Sequence, residues 1–239
     1  MYRLVIEPHQ QQGRHISLLS DQEHYLRRVL RLTIGDRFIA FNGKGSCWLV
    51  ELTATGAEIL EAVLSDGELS VAVTLMVALP KGNGFDQIVR FGTELGVSQF
   101  IPVISERTLL KPGENKLKRW RKIAIEAAEQ SERAILPYIF PPIPFNQAIT
   151  EISNLKADCY LAVARKNAPS LGEKIQKTLP SSSPQHILIA TGPEGGWTEG
   201  EIEKAIAHGF QLISLGKRIL RAITAPIMAV SLIVGIYDN

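Results

Sequence analysis

Thr191-Gly-Pro-Glu-Gly-Gly196 packs three glycines and a proline into six residues directly after an apolar run, His186–Ala190. Glycine carries no Cβ, so main-chain N–H and C=O groups in such a stretch can come close to a ligand. The chemistry this offers is recognition by backbone rather than proton transfer by side chains. A second cluster, Ser214-Leu-Gly-Lys-Arg-Ile-Leu-Arg221, follows the next apolar run and leads into Thr224-Ala-Pro226. It carries two guanidinium forks, Arg218 and Arg221, which keep their charge at any physiological pH. Each cluster alone reads equally as a tight turn with solvated charges. On consecutive strand ends, where α/β proteins bind ligands, the two read as one site.

Other chemistries find less support. Lys81-Gly82-Asn83-Gly84 lacks the Gly-Lys-Ser/Thr ending of a phosphate loop and the GxGxxG of a dinucleotide fold, and reads as a flexible turn. An oxidoreductase on an ordinary Rossmann sheet would need that fingerprint after its first strand. The histidines, His9, His15, His24, His186 and His208, are scattered without HExxH spacing, so no metal site is expected. There is no GxSxG nucleophile elbow. Cys47 and Cys159 lack CxxC spacing and read as small apolar core residues.

The elements that would position the two clusters fall into two groups. From Met1 to about Ser70, short β-type runs at Tyr2–Ile6, Arg37–Phe41, Cys47–Leu52 and Ala57–Val63 predict a small β-barrel, with a hairpin at Asn42-Gly43-Lys44-Gly45. A short helix at Asp21–Val29, capped by Asp21, interrupts them. After Asp66-Gly67 the apolar runs Val71–Ala78, Gln99–Ile104, Asp158–Val163, His186–Ala190 and Gln211–Leu215 alternate with helical spacing, which predicts a parallel α/β sheet covered on both faces. Helices are expected at Asp86–Leu95 and Lys116–Ser131, the latter with Leu117, Trp120, Ala124, Ala127 and Ala128 on one stripe. Thr198 with Glu201 forms a capping box opening a helix that stops near Gly209. A final helix, about Ala225–Tyr237, is apolar nearly all round, as expected of a helix buried against the chain and a second copy of it. Pro137–Pro144 and Ser181–Pro184 read as connectors.

Length and composition agree with a globular enzyme-sized chain. At 239 residues, 45% hydrophobic and 21% charged, it can bury its own core and is no disordered polymer. No run approaches the roughly 20 apolar residues a bilayer demands, and Met1–Glu7 lacks a signal peptide's apolar stretch; a soluble protein of the cytoplasm is expected. Net charge is only +2, but the basic residues are grouped. Seven lie between Arg107 and Lys122 against one acid, and five between Arg27 and Lys44 against Asp36.

The pair Gly192–Gly196 and Ser214–Arg221 resembles the SPOUT methyltransferases, specifically the type that methylates N3 of a uridine in small-subunit ribosomal RNA. The likeness extends through His24-Tyr-Leu-Arg-Arg-Val-Leu-Arg31, Leu79-Pro-Lys-Gly82, Thr93-Glu-Leu-Gly96 and Arg119–Ser131. It implies a PUA-like β-barrel over residues 1–70 that binds RNA, followed over 71–239 by an α/β methyltransferase domain with a deep trefoil knot. It further implies S-adenosylmethionine held by Thr191, Gly192, Pro193, Glu194, Gly195 and Gly196 together with Leu215, Gly216, Ile219 and Leu220. The partners implied are 16S rRNA or the small ribosomal subunit, and a second copy in a homodimer, with no membrane.

Methyl transfer to N3 requires alignment and a favourable potential more than covalent catalysis. On the resemblance, Arg218 or Arg221 supplies a guanidinium near the uracil or a flanking phosphate. Arg27, Arg28 and Arg31, with Lys118, Arg119 and Lys122, are the expected RNA-backbone contacts. Three residues depart from the family pattern: Ile223 in the place of a glutamate, Glu132 in the place of a glycine, and Phe91 in the place of a lysine. The first raises an alternative, a protein of the same fold that binds the cofactor and has lost catalysis.

Overall fold

The computed structural model describes residues 1–110, 112–152, 156–178 and 186–238. Packing divides the chain into two compact units: Met1–Glu68 with Ile125–Leu136, and Leu69–Ala124 with Pro137–Asn239.

The first unit contains strands β1 (Arg3–Val5), β2 (Gln11–Gln12), β3 (His15–Ile16), β4 (Arg37–Phe41), β5 (Cys47–Thr53) and β6 (Gly56–Val63), with helix α1 (Ser20–His24) running on into a π-turn at Tyr25–Val29. The strand order is β1-β4-β5-β6-β3-β2, with β1 parallel to β4 and the rest antiparallel. The expected barrel is therefore seen as a six-stranded mixed sheet whose hydrogen-bonded order is an open path. Alternation sends Phe38, Ala40, Val50 and Leu52 into one core with Leu4, Ile16 and Leu26. On the other side Phe41 and Cys47 pack with Ala134. Asp21 is not the helix cap: it lies in the first turn, and the Leu19 N–H donates instead to Gln22 Oε1 at 2.9 Å. A carboxylate the sequence left unassigned, Glu68, accepts from Arg133 at 2.7 Å and from the N–H groups of Ala134 and Ile135.

The second unit is a parallel sheet of β7 (Ala72–Ala78), β8 (Gln99–Ile104), β9 (Tyr138–Ile139), β10 (Ile143–Pro144), β11 (Asp158–Ala162), β12 (His186–Thr191) and β13 (Gln211–Ile213). Its order is β10-β8-β7-β12-β11-β13, with β9 also on β8. Pro137–Pro144 is thus not only a connector. Its two short strands pair along the edge of β8, where a missing proline N–H is tolerated. The other two breaks in the sequence fare differently: Asn42–Gly45 forms the expected hairpin between β4 and β5, and Ser181–Pro184 lies outside the described residues.

The helices are α2 (Gly84–Glu94), α3 (Glu114–Gln130), α4 (Phe145–Glu151), α5 (Leu171–Thr178), α6 (Glu199–Ala207) and α7 (Thr224–Tyr237). Two of them, α4 and α5, were not anticipated. Period-two alternation is hidden inside the continuous apolar runs: Val73, Leu75, Val77, Ile187 and Ile189 meet α2, Trp120 and α7, while Met76, Ala78, Leu188 and Ala190 meet α4 and α6. Helix α7 buries Pro226, Ala229, Val230 and Ile233, and its remaining apolar residues stay partly or fully accessible in the single chain. Among the described residues no helix is long and apolar enough to cross a membrane.

At the amino end of β12, His186 Nε2 lies 2.7 Å from Thr74 Oγ1, and burial pushes the imidazole below its ordinary pKa of 6.5. The unfolded chain therefore takes up this proton first as pH falls. The His186 contribution is complete above 6.5 and is lost as pH drops from there toward the folded value. Denaturant unfolding should show stability falling between about pH 7 and 5 more steeply in the native chain than in His186→Gln. Equal slopes in the two proteins would remove His186 from the pH response.

Candidate functional site

The carboxyl ends of β11, β12 and β13 open onto one cavity of about 1430 Å³ in the second unit. Its walls include Thr191–Trp197 and Ser214–Ile223, so the two clusters singled out in the sequence do converge. All ten residues expected to hold a cofactor line it, as do Arg218 and Arg221.

The glycine loop is bare but not free. Its turn closes with the Gly196 N–H on Pro193 O at 2.8 Å, with Gly196 at φ +67°, a conformation open to glycine without strain. A Cβ on Gly192 would sit 3.3 Å from the Trp197 ring, which is why that position can carry only hydrogen without displacing the indole. The indole itself is 8% exposed, packs against Phe145 and donates from Nε1 to Ala162 O at 3.2 Å, tying the loop to the end of β11. The Lys81 N–H donates to Glu194 Oε1 at 3.0 Å, which gives the Lys81–Gly84 turn a role beyond connection.

Past the loop, the expected capping box is present. Thr198 N–H donates to Glu201 Oε2 at 2.8 Å, and Glu201 N–H donates back to Thr198 Oγ1 at 3.3 Å. Glu201, 2% exposed, also accepts from the Glu106 N–H at 2.9 Å. Its neighbour Arg107 donates from one guanidinium nitrogen to Gly195 O at 2.7 Å and to Trp197 O at 3.3 Å. Arg107 was counted in the sequence as part of a basic patch and not as part of the site.

A third wall was missed altogether. The segment Val163–Ser170 leaves the end of β11 and is laced to its neighbours: Ser214 N–H donates to Pro169 O at 2.8 Å, and Lys166 Nζ pairs with Glu199 at 2.5 Å. The strand before it was legible, so the rule that ligands gather at strand ends would have found this segment had the order β12-β11-β13 been known.

Thr191 is fully buried, and its Oγ1 has no hydrogen-bond partner among the described residues. A buried hydroxyl left in this state costs about 1–3 kcal/mol unless a bound molecule meets it.

The basic residues expected to bind RNA are unequal. Arg28 and Arg31 are exposed, the latter at φ +59°, whereas Arg27 is half-buried and donates to Thr53 O at 2.6 Å. Lys118 and Lys122 are exposed on α3. Arg119 pairs instead with the buried Asp86 at 2.8 Å, which also accepts from Trp120 Nε1 at 3.0 Å.

These features meet a known pattern. An RNA methyltransferase domain family matches residues 67–234, and an RNA methyltransferase PUA domain family matches residues 20–65. Ribosomal RNA small subunit methyltransferase E of Synechocystis sp. is 48% identical over 241 residues, spanning 100% of this chain and 78% of that protein. The Bacillus subtilis protein of the same name is 33% identical over 98% of this chain and 96% of its own. The chain belongs to the ribosomal RNA small subunit methyltransferase E family. A solved methyltransferase E from Neisseria gonorrhoeae, bound to S-adenosyl methionine, matches with TM-score 0.88 at 31% identity, covering 99% of this chain and 98% of that one. The first unit accordingly contains a PUA-like domain and the second an α/β methyltransferase fold built on a parallel sheet.

Two of the departures from the methyltransferase E pattern have a structural reading. Glu132 adopts φ +61°, the left-handed region that glycine enters freely, so the glycine that the resemblance leads one to expect there would match the backbone. Ile223 lines the cavity and packs against Gly84, where a Cβ would come within 3.0 Å of its Cδ1. Phe91 is exposed, and nothing in the structure explains it.

Arg107→Met should free Gly195 O and Trp197 O while keeping the bulk of the stem. Amide hydrogen exchange over residues 192–198 is expected to speed up about 10- to 100-fold, for loss of a charged hydrogen bond worth about 1.5–3 kcal/mol. Unaltered protection there would mean that the guanidinium does not hold the loop.

Proposed function

We propose that this methyltransferase transfers a methyl group from S-adenosylmethionine to N3 of a uridine in 16S ribosomal RNA. The observation that carries the reading is the convergence of two glycine-bearing loops, from the ends of β12 and β13 on either side of β11, on a single cavity that holds a buried hydroxyl without a partner among the described residues. The residues present suit the cofactor. Thr191 Oγ1, the main chain of Gly192, Pro193, Glu194, Gly195 and Gly196, and that of Leu215, Gly216, Ile219 and Leu220 offer donors and acceptors without charge, as a cationic nucleoside requires. When bound, that nucleoside supplies an electrophilic methyl on a sulfonium.

The chain's own part is positioning. Loop 192–196, held by Arg107, Trp197 and Lys81, fixes one side of the cavity. Arg218 and Arg221, both exposed on its rim, place positive charge where the uracil loses its N3 proton and becomes anionic. Residues 1–70 are assigned to RNA capture, through Arg28 and Arg31 with Arg27 as a tie within the domain, and Lys118 and Lys122 serve as further backbone contacts. Residues 71–239 are assigned to catalysis. The passage of the chain from β12 across β11 to β13, and back to α7 packed on β7 and β12, supports a trefoil knot. The apolar residues left accessible on α7 support a homodimer. Ribosomal RNA as substrate supports a cytoplasmic location. The second reading, cofactor binding without turnover, rests on Ile223, which brings no carboxylate to the cavity.

Mass spectrometry of small-subunit RNA from cells with and without the protein decides between them. The expected result is loss of one 3-methyluridine on deletion; RNA identical in the two strains overturns the assignment. Restoring the chain as Arg221→Ala should leave cofactor affinity intact and slow methylation about 10²-fold, as for removal of one preorganised donor.

Thr191→Val removes the hydroxyl while keeping the shape. Thermal unfolding should show stability unchanged or raised, and calorimetry a loss in S-adenosylmethionine affinity of about 5- to 10-fold, worth roughly 1 kcal/mol. Undiminished affinity would exclude Thr191 from the cofactor contacts.

A further inference from the structure

Six cationic and three acidic side chains line the cavity, while the whole chain carries 26 basic against 24 acidic residues. The local excess exceeds that of the entire molecule. Two of the six cations are used internally: Arg107 on Gly195 O and Trp197 O, and Lys166 on Glu199. The other four, Arg165, Lys217, Arg218 and Arg221, are exposed and have no hydrogen-bond or ion-pair partner among the described residues. Of the three acids, Glu199 is neutralised by Lys166, Glu194 is occupied by the Lys81 N–H and Glu173 is exposed, so the four free cations outnumber the acids left to oppose them.

The cofactor does not account for these charges. S-adenosylmethionine carries a sulfonium and an ammonium against one carboxylate, so it is itself cationic, and one guanidinium is all it can pair with. An excess of unpaired cations around such a ligand faces an anionic second substrate. Arg165 adds an independent sign. It holds φ +60° in the missed strap Val163–Ser170, a conformation that L side chains rarely adopt and that places a permanent charge on the cavity side. Lys217 stands on the loop after β13, which lines the same cavity, next to Gly216 at φ +114°.

We infer that Arg165 and Lys217 form a phosphate-binding pair at the cavity mouth that grips the RNA backbone on either side of the target nucleotide. This rests on the methyltransferase reading and adds to it a set of RNA contacts in the catalytic domain, separate from Arg28 and Arg31. The pair carries no base identity; its work is to hold a single strand in place while the base enters the cavity.

The test uses the full chain, small-subunit RNA transcribed in vitro and a salt titration of binding. Arg165→Gly removes the charge at a backbone conformation glycine prefers, so folding is retained; Arg165→Lys restores the charge; Lys217→Gln removes the other. Each neutral variant should lower the slope of log affinity against log salt by about 0.7, the value for one phosphate on a single strand. Arg165→Lys should recover the native slope, and calorimetry should give unchanged S-adenosylmethionine affinity for all three. Slopes equal to the native one, or a cofactor affinity that falls in step with RNA affinity, overturn the inference. Native protein that binds RNA with this charge dependence yet transfers no methyl group supports the phosphate pair and removes the catalytic reading, so the two can fail separately.

Discussion

A loop that recognises its ligand through main-chain atoms must be bare of side chains and also still, and these demands oppose each other. Glycine loses more conformational freedom on ordering than any other residue, so three glycines in six residues tend toward mobility. In this protein the stillness comes from outside the loop. The Arg107 guanidinium grips the carbonyls of Gly195 and of Trp197 just beyond the loop, the Trp197 indole anchors it to β11, and the buried Glu201 carboxylate joins the start of α6 to the segment carrying Arg107. Charged donors and acceptors suit the task because each such bond is about twice as strong as a neutral one.

The same ties account for the cavity. Lys81 on the turn before α2, Arg107 after β8 and Ala162 at the end of β11 each bond to the segment Glu194–Trp197, so the carboxyl ends of three strands are drawn around one loop. The strap Val163–Ser170 is joined in turn to β13 through Ser214 and to α6 through the Lys166–Glu199 pair. A parallel sheet presents its strand ends on one side; the ties convert that side from a row of separate turns into a walled site.

What could be read from the residues was what is local in sequence. Thr198 and Glu201 lie three apart and name the start of α6 by themselves; the hairpin at Asn42–Gly45 and the last helix are of the same kind. Arg107 and Gly195 are 88 residues apart, and Glu106 and Glu201 95. No periodicity encodes such pairs, and the strand order that brings them together is set by tertiary packing. The edge strands at Tyr138–Ile139 and Ile143–Pro144 were hidden by prolines that elsewhere break structure, because only pairing to the outer side of β8 makes them harmless. Helix α3 was visible as one amphipathic stripe, yet Glu114–Ala124 and Ile125–Gln130 pack into different units, a division that a continuous stripe conceals.

Ile223 sharpens the chemistry that the proposed reaction demands of this chain. Its side chain lies against Gly84 at the cavity wall and has no lone pair to take a proton. Uracil N3 becomes anionic when it loses its proton, and nearby positive charge favours the ionised form of such a group. Four cations without internal partners border the same cavity. An acid lining the same cavity at position 223 would offset part of their potential; isoleucine leaves it whole. On the proposed reading, a side chain without a carboxylate at position 223 leaves the potential of the unpaired guanidinium and ammonium groups undiminished, which favours the anionic uracil once its N3 proton has passed to water.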